Sequence, residues 1–362
     1  MTPEEYMKIA ISEAKKGMGF VNPNPMVGAV IVKDGIIISK DYHRRYGDFH
    51  AERNAILNCR EDMNGAEIYV TLEPCCHQGK TPPCTQAIID SGIKKVYTGS
   101  DDPNPLVAGK GIRTLQENGI EVITGILKEE CDRLNKPFFH FIKNNLPYVV
   151  MKYAMTADGK IASFTGKSKW ISNESSRQNV QKSRLRYSGI MAGINTVLTD
   201  DPMLTCRLQN GRNPVRIICD SHLRIPLDCN IMKTAKEIPT IIACTKFIEI
   251  SKSILVQQAG AELICTSSEN GHVNLNELML ELGERKIDSI LLEGGGELNF
   301  SALNSGIVNH VQIYISPKIL GGKTAPSPVG GLGFDSPDSA IKLGDIEITG
   351  IGEDVLIDCE VL

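Results

Sequence analysis

Nothing in this 362-residue chain is apolar for long enough to cross a bilayer, which takes about 20 consecutive residues. Blocks of like charge are missing too. The 39 basic and 43 acidic residues are mixed along the chain and leave a net charge of -4, so there is no electrostatic footprint for nucleic acid or an anionic membrane. No internal repeat joins the two halves and no low-complexity linker parts them, which excludes solenoids and beads on a flexible string. A Gly-x-Gly-x-x-Gly fingerprint after a strand is also lacking, so a Rossmann domain has no support. The eleven cysteines are an odd number scattered over a long chain, which argues against a disulfide framework and for reduced thiols in the cytoplasm. At the N-terminus, Thr2-Pro3-Glu4-Glu5 is a capping box with a first-turn proline, a folded helix start and not a signal peptide.

Two segments carry explicit chemistry. His50-Ala51-Glu52 is followed by Thr71-Leu72-Glu73-Pro74-Cys75-Cys76-His77, which runs on to Pro82-Pro83-Cys84. One imidazole and two thiolates suit zinc, and three protein ligands leave a fourth tetrahedral position open for water, as catalytic sites require. The expected ligands are His50, Cys75 and Cys84. Glu52, two residues after the histidine, would shuttle protons from that water to a departing amine, which is hydrolytic deamination. A small closed zinc clip using Cys75, Cys76 and Cys84, or merely buried thiols, is the competing reading. Because neighbours on an extended segment point in opposite directions, Cys75 and Cys76 should not both face one metal, and the Pro-Cys order favours Cys75. The usual Pro-Cys-x-x-Cys spacing is interrupted here by the inserted loop Cys76 to Pro83.

Apolar β-branched runs at Val27 to Val32 and Ile36 to Ser39 flank Lys33-Asp34-Gly35, a hairpin signal. Strands expected at Glu67 to Leu72, Lys95 to Gly99 and Glu121 to Thr124 then alternate with helices that begin near His50, Cys84 and Gly111. That alternation predicts a three-layer α/β/α sheet. Leu127 to Asn144 reads as one further helix, and Asn144-Asn145-Leu146-Pro147 reads as the boundary between a domain over 1–145 and a second over 146–362. The second domain again mixes strands (Tyr148 to Ala154, Ile190 to Gly193, Val215 to Asp220, Thr240 to Ala243, Ser289 to Glu293, Val311 to Ile315) with helices near Glu174 to Arg186 and Asn274 to Glu284. Gly321 to Asp335, rich in glycine and proline, is either a mobile flap or a packed series of turns. Glu293-Gly294-Gly295-Gly296-Glu297 precedes a helix-like stretch, and glycines there serve equally as a tight turn or as a phosphate cradle.

Taken together, Asn24-Pro25, Val27-Gly28-Ala29, the two metal segments and Asp101-Asp102-Pro103-Asn104-Pro105 resemble the bifunctional riboflavin biosynthesis deaminase-reductases. The likeness continues through Lys152, Asp158-Gly159-Lys160, Ser168-Lys169-Trp170-Ile171, Thr199-Asp200-Asp201-Pro202, Leu204-Thr205-Cys206-Arg207 and Glu293 to Gly296. It implies a cytidine-deaminase-like α/β/α domain followed by a dihydrofolate-reductase-like α/β domain. The implied chemistry is zinc-dependent deamination of 2,5-diamino-6-(5-phosphoribosylamino)pyrimidin-4-one, then NADPH-dependent reduction of the ribosyl group to ribityl. The implied partners are this small phosphorylated substrate and further copies of the chain. In the first half the resemblance assigns Asn24, His43, His77, Lys80, Asp102 and Asn104 to substrate; His43, beside Arg44 and Arg45, reads equally well as a surface histidine. In the second half it gives NADPH to Ala154, Trp170, Thr196, Asp200 and Ser221, and to the run Gly295, Gly296, Glu297, Leu298, Asn299, Phe300 and Ser301. Substrate contacts there would be Lys152, Ser168, Arg184, Leu204, Arg207 and Glu293. Arg184 and Arg207 have the planar fork that binds phosphate, though either is also at home on a solvated surface. Two rivals remain at this point: a deaminase of free nucleosides or tRNA adenosine fused to an unrelated domain, and a zinc-stabilised nucleotide-sensing module without catalysis.

Overall fold

Thr2 caps the first helix as its sequence predicts: its hydroxyl accepts the Glu5 N–H, and the Glu5 carboxylate returns a bond to the Thr2 N–H. The computed structural model describes residues 1–79 and 82–362, so the Lys80 assignment lies outside the described residues. The chain divides into two compact units, Met1–Asn145 and Leu146–Leu362.

In the first unit the helix α1 (Pro3–Ala14) leads to the hairpin β1 (Gly28–Lys33) and β2 (Ile36–Tyr42). Asp34 and Gly35 both take positive φ at its tip, the conformation a tight two-residue hairpin turn demands. There follow α2 (Ala51–Asn58), β3 (Glu67–Leu72), α3 (Cys84–Asp90), β4 (Lys95–Ser100), α4 (Lys110–Glu117) and β5 (Glu121–Ile123). The strands form one mixed sheet in the order β2-β1-β3-β4-β5, with β3, β4 and β5 parallel. Alternate strand residues point to opposite faces. Ala29, Ile31, Ile68 and Val70 therefore pack with Ala51 and Ala55 of α2 and Ile88 of α3, while Val30, Val32 and Tyr69 pack with Tyr6, Met7 and Ala10 of α1. Those are the three layers.

The single helix expected over Leu127 to Asn144 is instead two, α5 (Lys128–Leu134) and α6 (Lys136–Asn144). Asn135 breaks it. Its buried side-chain amide accepts the Met26 N–H and donates to the Met26 carbonyl, both at 2.9 Å, and Pro137 then restarts the chain as a first-turn proline.

The second unit runs β6 (Tyr148–Thr156), α7 (Glu174–Arg186), β7 (Gly189–Gly193), α8 (Ile194–Asp200), β8 (Val215–Cys219), α9 (Asn230–Lys233) and β9 (Thr240–Thr245). It continues with α10 (Ile250–Gln258), β10 (Glu262–Thr266), the small hairpin β11 (Ser268–Glu269) and β12 (His272–Val273), α11 (Leu275–Glu284), β13 (Ser289–Leu292) and α12 (Gly296–Asn304). Last come β14 (Val308–Ser316), β15 (Leu343–Ile351) and β16 (Asp354–Val361). Nine strands form one sheet, β10-β9-β8-β7-β13-β6-β14-β16-β15, parallel from β10 through β14 and closed by antiparallel β16 and β15. One face is covered by α11 and α12, the other by α8, α9 and α10. Gly321 to Asp335 holds no helix or strand, and it is anchored as packed turns: Asp158 accepts the Gly321 N–H, Asn299 donates to the Pro328 carbonyl, and the Gly330 N–H reaches Gly296.

Candidate active sites

In the first unit, three turns of chain converge. His50 is the N-cap of α2, which puts Glu52 in the first turn of that helix and Cys84 opens α3. Cys75 leaves β3 on a loop stitched to the start of α3, where the Thr85 N–H meets the Cys75 carbonyl at 3.1 Å and the Cys84 N–H meets Cys75 Sγ at 3.4 Å. His50 Nδ1 then lies 3.5 Å from Cys75 Sγ and 3.4 Å from Cys84 Sγ. All three donor atoms fall within 4.8 Å of one another. Cys76 points away, its Sγ 3.8 Å from the Leu106 carbonyl, so the closed clip using Cys76 is excluded. Hydrogen bonding from Cys84 holds Cys75 below its ordinary value, toward the thiolate a metal needs, while the bond to Cys75 and burial raise Cys84. Glu52 is 3% exposed, burial pushes it up to about 7, and its Oε2 has no partner. An imidazole, two thiols and an orphaned carboxylate oxygen fit a three-ligand zinc site with an open position.

The loop carrying Cys75 is fixed from behind. The buried Glu73 carboxylate accepts the N–H groups of Gly109, Gly111 and Ile112 at the start of α4. Gly111 has no room for a side chain, since a Cβ there would come 2.0 Å from the Pro74 carbonyl.

A cavity of about 230 Å³ opens over this centre and is lined by Asn24, His43, His50, Glu52, His77 and Asp102 among others. His43 is no surface histidine. It is 1% exposed, its Nδ1–H donates to the Phe49 carbonyl at 3.0 Å, and its Nε2 accepts from the Asn24 amide at 3.2 Å. Burial lowers its pKa, and donation from Nδ1 with acceptance at Nε2 is the bonding pattern of a neutral ring carrying its proton on Nδ1. Burial also raises Asp102 to about 6 despite a bond from the Asn104 N–H. Asn104 itself does not line the cavity; its side chain accepts the Leu106 N–H. Tyr46, Asp48 and Phe138 do line it, and nothing in their local sequence marked them.

In the second unit, two cavities among the described residues meet at Thr196 and Gly295. The first, about 340 Å³, is lined by Lys152, Ala154, Ser168, Trp170, Arg184, Asp200, Arg207, Glu293 and Asn299. The second, about 300 Å³, is lined by Ser221, Gly296, Glu297, Leu298 and Ser301. Two assigned residues reach neither: Leu204 is buried in the core against α8 and α9, and Phe300 packs on Phe334. The glycine run packs tightly at two positions and is open at one. A Cβ on Gly294 would sit 2.7 Å from Asn299 Oδ1 and one on Gly296 3.0 Å from the Ser327 carbonyl, whereas Gly295 is uncrowded and faces both cavities at the N-terminus of α12. Glycine backbone at a helix start between two connected cavities fits a dinucleotide.

Arg184 is not a free phosphate fork. It makes a two-pronged bond to Glu293, 2.7 Å from Nε and 3.0 Å from Nη2, and its Nη1 donates to the Thr205 carbonyl. Lys152 Nζ lies 3.0 Å from Glu293 Oε2. These two cations outweigh the cost of burial and hold Glu293 well below the usual carboxylate range. Of the two arginines, the exposed Arg207 is the one whose guanidinium no such carboxylate occupies.

Residues 147–357 match the family described as RibD C-terminal domain, and residues 1–100 match the cytidine and deoxycytidylate deaminase zinc-binding region. Riboflavin biosynthesis protein RibD of Actinobacillus pleuropneumoniae is 55% identical over 362 residues, spanning all of this chain and 96% of that one. The protein of that name in Escherichia coli (strain K12) is 37% identical over 89% of each. A crystal structure of a diaminohydroxyphosphoribosylaminopyrimidine deaminase/5-amino-6-(5-phosphoribosylamino)uracil reductase from Thermotoga maritima superposes with a TM-score of 0.86 at 39% identity, covering 99% of each chain. With a deaminase site in one unit, a dinucleotide-shaped pair of cavities in the other and likeness along its whole length, the chain belongs to the riboflavin biosynthesis protein RibD family.

Proposed function

We infer that the first unit removes the amino group at ring position 2 of 2,5-diamino-6-(5-phosphoribosylamino)pyrimidin-4-one and that the second reduces the ribosyl group of the resulting aminouracil to ribityl. The observation that carries this reading is the orphaned, buried Glu52 oxygen beside His50, Cys75 and Cys84 at the floor of a cavity. A structural clip or a nucleotide sensor has no use for such a group. Zinc on those three ligands supplies a water activated for attack at neutral pH.

Glu52 takes the proton of the attacking water and delivers it to the ring and then to the leaving amine, a task suited to a carboxyl raised by burial. Asn24 and the neutral His43 form a fixed hydrogen-bonding wall for the pyrimidine, and Asp102 offers a further polar contact. His77, at the cavity rim, meets the ribose phosphate.

In the second unit NADPH supplies a hydride to the ribose anomeric carbon. Lys152, held by Glu293, points its ammonium into the substrate cavity toward the sugar hydroxyls, and Arg207 provides the unpaired cation for the phosphate. Trp170, 60% exposed, is backed by Arg177 at 4.6 Å from its ring centre and forms a wall for the nicotinamide.

The chain works in the cytoplasm as a homo-oligomer. All eleven cysteines are free thiols, as a reducing compartment requires. The edge strand β15 leaves Ile346 and Ile348 exposed, an apolar unpaired edge that a second copy would cover. Incubating the zinc-loaded protein with the diaminopyrimidine and NADPH, followed by mass spectrometry, tests the whole reading. Exchange of an amino group for oxygen together with gain of two hydrogens is expected; exchange without the gain would remove the reductase half, and no change would remove both.

A further inference from the structure

The second cavity of the reductase unit has a built cationic corner. Strand β8 ends at Cys219, and the chain turns through Asp220, Ser221, His222, Leu223 and Arg224. Asp220 is fully buried; its Oδ2 accepts the Ile225 N–H at 2.8 Å and its carbonyl accepts the Leu223 N–H at 3.1 Å. Leu223, with φ of 54°, tucks its side chain into the core. The base of the turn is thereby fixed, and Ser221, His222 and Arg224 are presented at its tip into the cavity. From one side Asn195 of α8 accepts a bond from Arg224 Nη2 at 2.9 Å. From the other, β12 brings His272 to the lining and donates the Val273 N–H to Ser221 Oγ at 3.1 Å.

The polar side chains at the tip of this turn are a guanidinium, a hydroxyl and an imidazole, with no acid among them. Arg224 and two imidazoles line the cavity against a single carboxylate, Glu297, which belongs to the α12 end and accepts the Gly331 N–H. A site that prefers a bare ribose diol places an acidic side chain at a strand end to accept from the 2′-hydroxyl. Here the strand-end acid is Asp220, and it is turned inward, with no surface to offer a ribose. With Lys152 and Glu293 lining the first cavity and Gly295 shared by both, the second cavity, whose lining includes Ile194, Leu275 and Leu298, would be left to hold the adenosine half of a dinucleotide.

We propose that Arg224, assisted by His222 and His272, reads the 2′-phosphate that distinguishes NADPH from NADH. The proposal rests on NADPH occupying the two joined cavities. The guanidinium is the principal contact, because its fork can bind a phosphate while keeping one prong on Asn195.

Calorimetric titration of the full-length protein with NADPH and separately with NADH tests it, for the wild type, Arg224→Ala, Arg224→Lys and His222→Ala. Loss of a charge-assisted bond predicts that Arg224→Ala weakens NADPH roughly tenfold or more while NADH changes less than about twofold. Arg224→Lys should recover part of the loss and His222→Ala should show a smaller loss of the same selectivity. Parallel weakening of both cofactors would mean that Arg224 only braces the turn, and unchanged NADPH affinity would mean that it takes no part; either overturns the proposal. The assignment underneath fails differently: a wild-type protein that binds neither dinucleotide has no such cofactor, whereas one that binds both equally keeps the cofactor and loses only this subsite.

Discussion

Glu52 in the first unit and Glu293 in the second are both buried carboxylates at the heart of a site, and the two are handled in opposite ways. Glu52 is 3% exposed and keeps an oxygen with no partner, so burial drives its pKa up to about 7. The Glu293 side chain is 11% exposed and saturated by Arg184 and Lys152, so its pKa is driven down. An unsatisfied buried acid costs free energy, and beside a metal site the free oxygen of Glu52 is placed to carry a proton. A saturated acid cannot exchange protons near neutrality. Glu293 instead fixes where two cations stand, and one of them, Lys152, faces the substrate cavity. Glu52 therefore serves chemistry, whereas Glu293 serves placement, as the saturated Glu73 does behind the Cys75 loop, and leaves the chemistry of its unit to a cofactor.

The largest effect that tests this contrast is metal removal. Chelation should abolish ammonia release completely, with recovery on adding zinc, while reduction of the already deaminated substrate continues at its former rate; loss of both activities would show that the two sites are not separately built. Next, Glu52→Gln should lower deamination by about 10²–10⁴-fold, the worth of a general acid–base, with zinc content kept and melting temperature unchanged or slightly higher. Retention of wild-type ammonia release would end the assignment of Glu52. Glu293→Gln should do the reverse. Leaving Arg184 and Lys152 unneutralised should destabilise the second unit by about 3–5 kcal/mol, read by denaturant unfolding. Because the folded-state pKa of Glu293 lies below its unfolded value, its contribution is complete above the ordinary carboxylate value of about 4 and is lost as pH falls below that. The stability gap between wild type and variant should thus stay constant from neutrality down to about pH 5 and close in stronger acid; a gap that widened in acid would contradict the ion triple.

The role of the first carboxylate is readable from its own short motif, whereas Glu293 is named only through the resemblance, as a substrate contact, and its pairing with Arg184 and Lys152 is not foreseen, for a physical reason. The zinc centre is written in short segments whose residue types announce their chemistry, and local helix starts deliver His50, Glu52 and Cys84 to one point. Arg184 and Glu293 lie 109 residues apart, and only the sheet brings them together, so an arginine that reads as a phosphate fork is already engaged. His43 carries the same lesson in the first unit, since its flanking Arg44 and Arg45 suggest surface while Asn24 and the Phe49 carbonyl bury it. Leu204 and Phe300, carried onto the ligands by resemblance alone, sit in packing positions. The terminal hairpin β15 and β16 is not assigned from the sequence although Asp345-Ile346-Glu347-Ile348-Thr349 alternates as a strand does, and the structure leaves both isoleucines exposed.

The smallest effect asks whether the rule holds inside one unit. Asn135 of the deaminase unit is as buried as Glu52, 2% exposed, but like Glu293 it is satisfied, by both backbone groups of Met26. If saturation marks scaffold and an orphaned atom marks chemistry, Asn135→Ala should behave as a scaffold variant despite lying in the same unit as the zinc ligands. The Met26 N–H and carbonyl would lose their partner, at a cost of about 1–3 kcal/mol. Met26 stands next to Pro25 and Val27, which line the substrate cavity, so the disturbance should reach binding before it reaches proton transfer. A lower melting temperature and a KM raised a few-fold, with kcat within about twofold of wild type, is the expected pattern. A large fall in kcat with KM unchanged would place Asn135 on the chemical side and break the distinction between the two kinds of buried polar group.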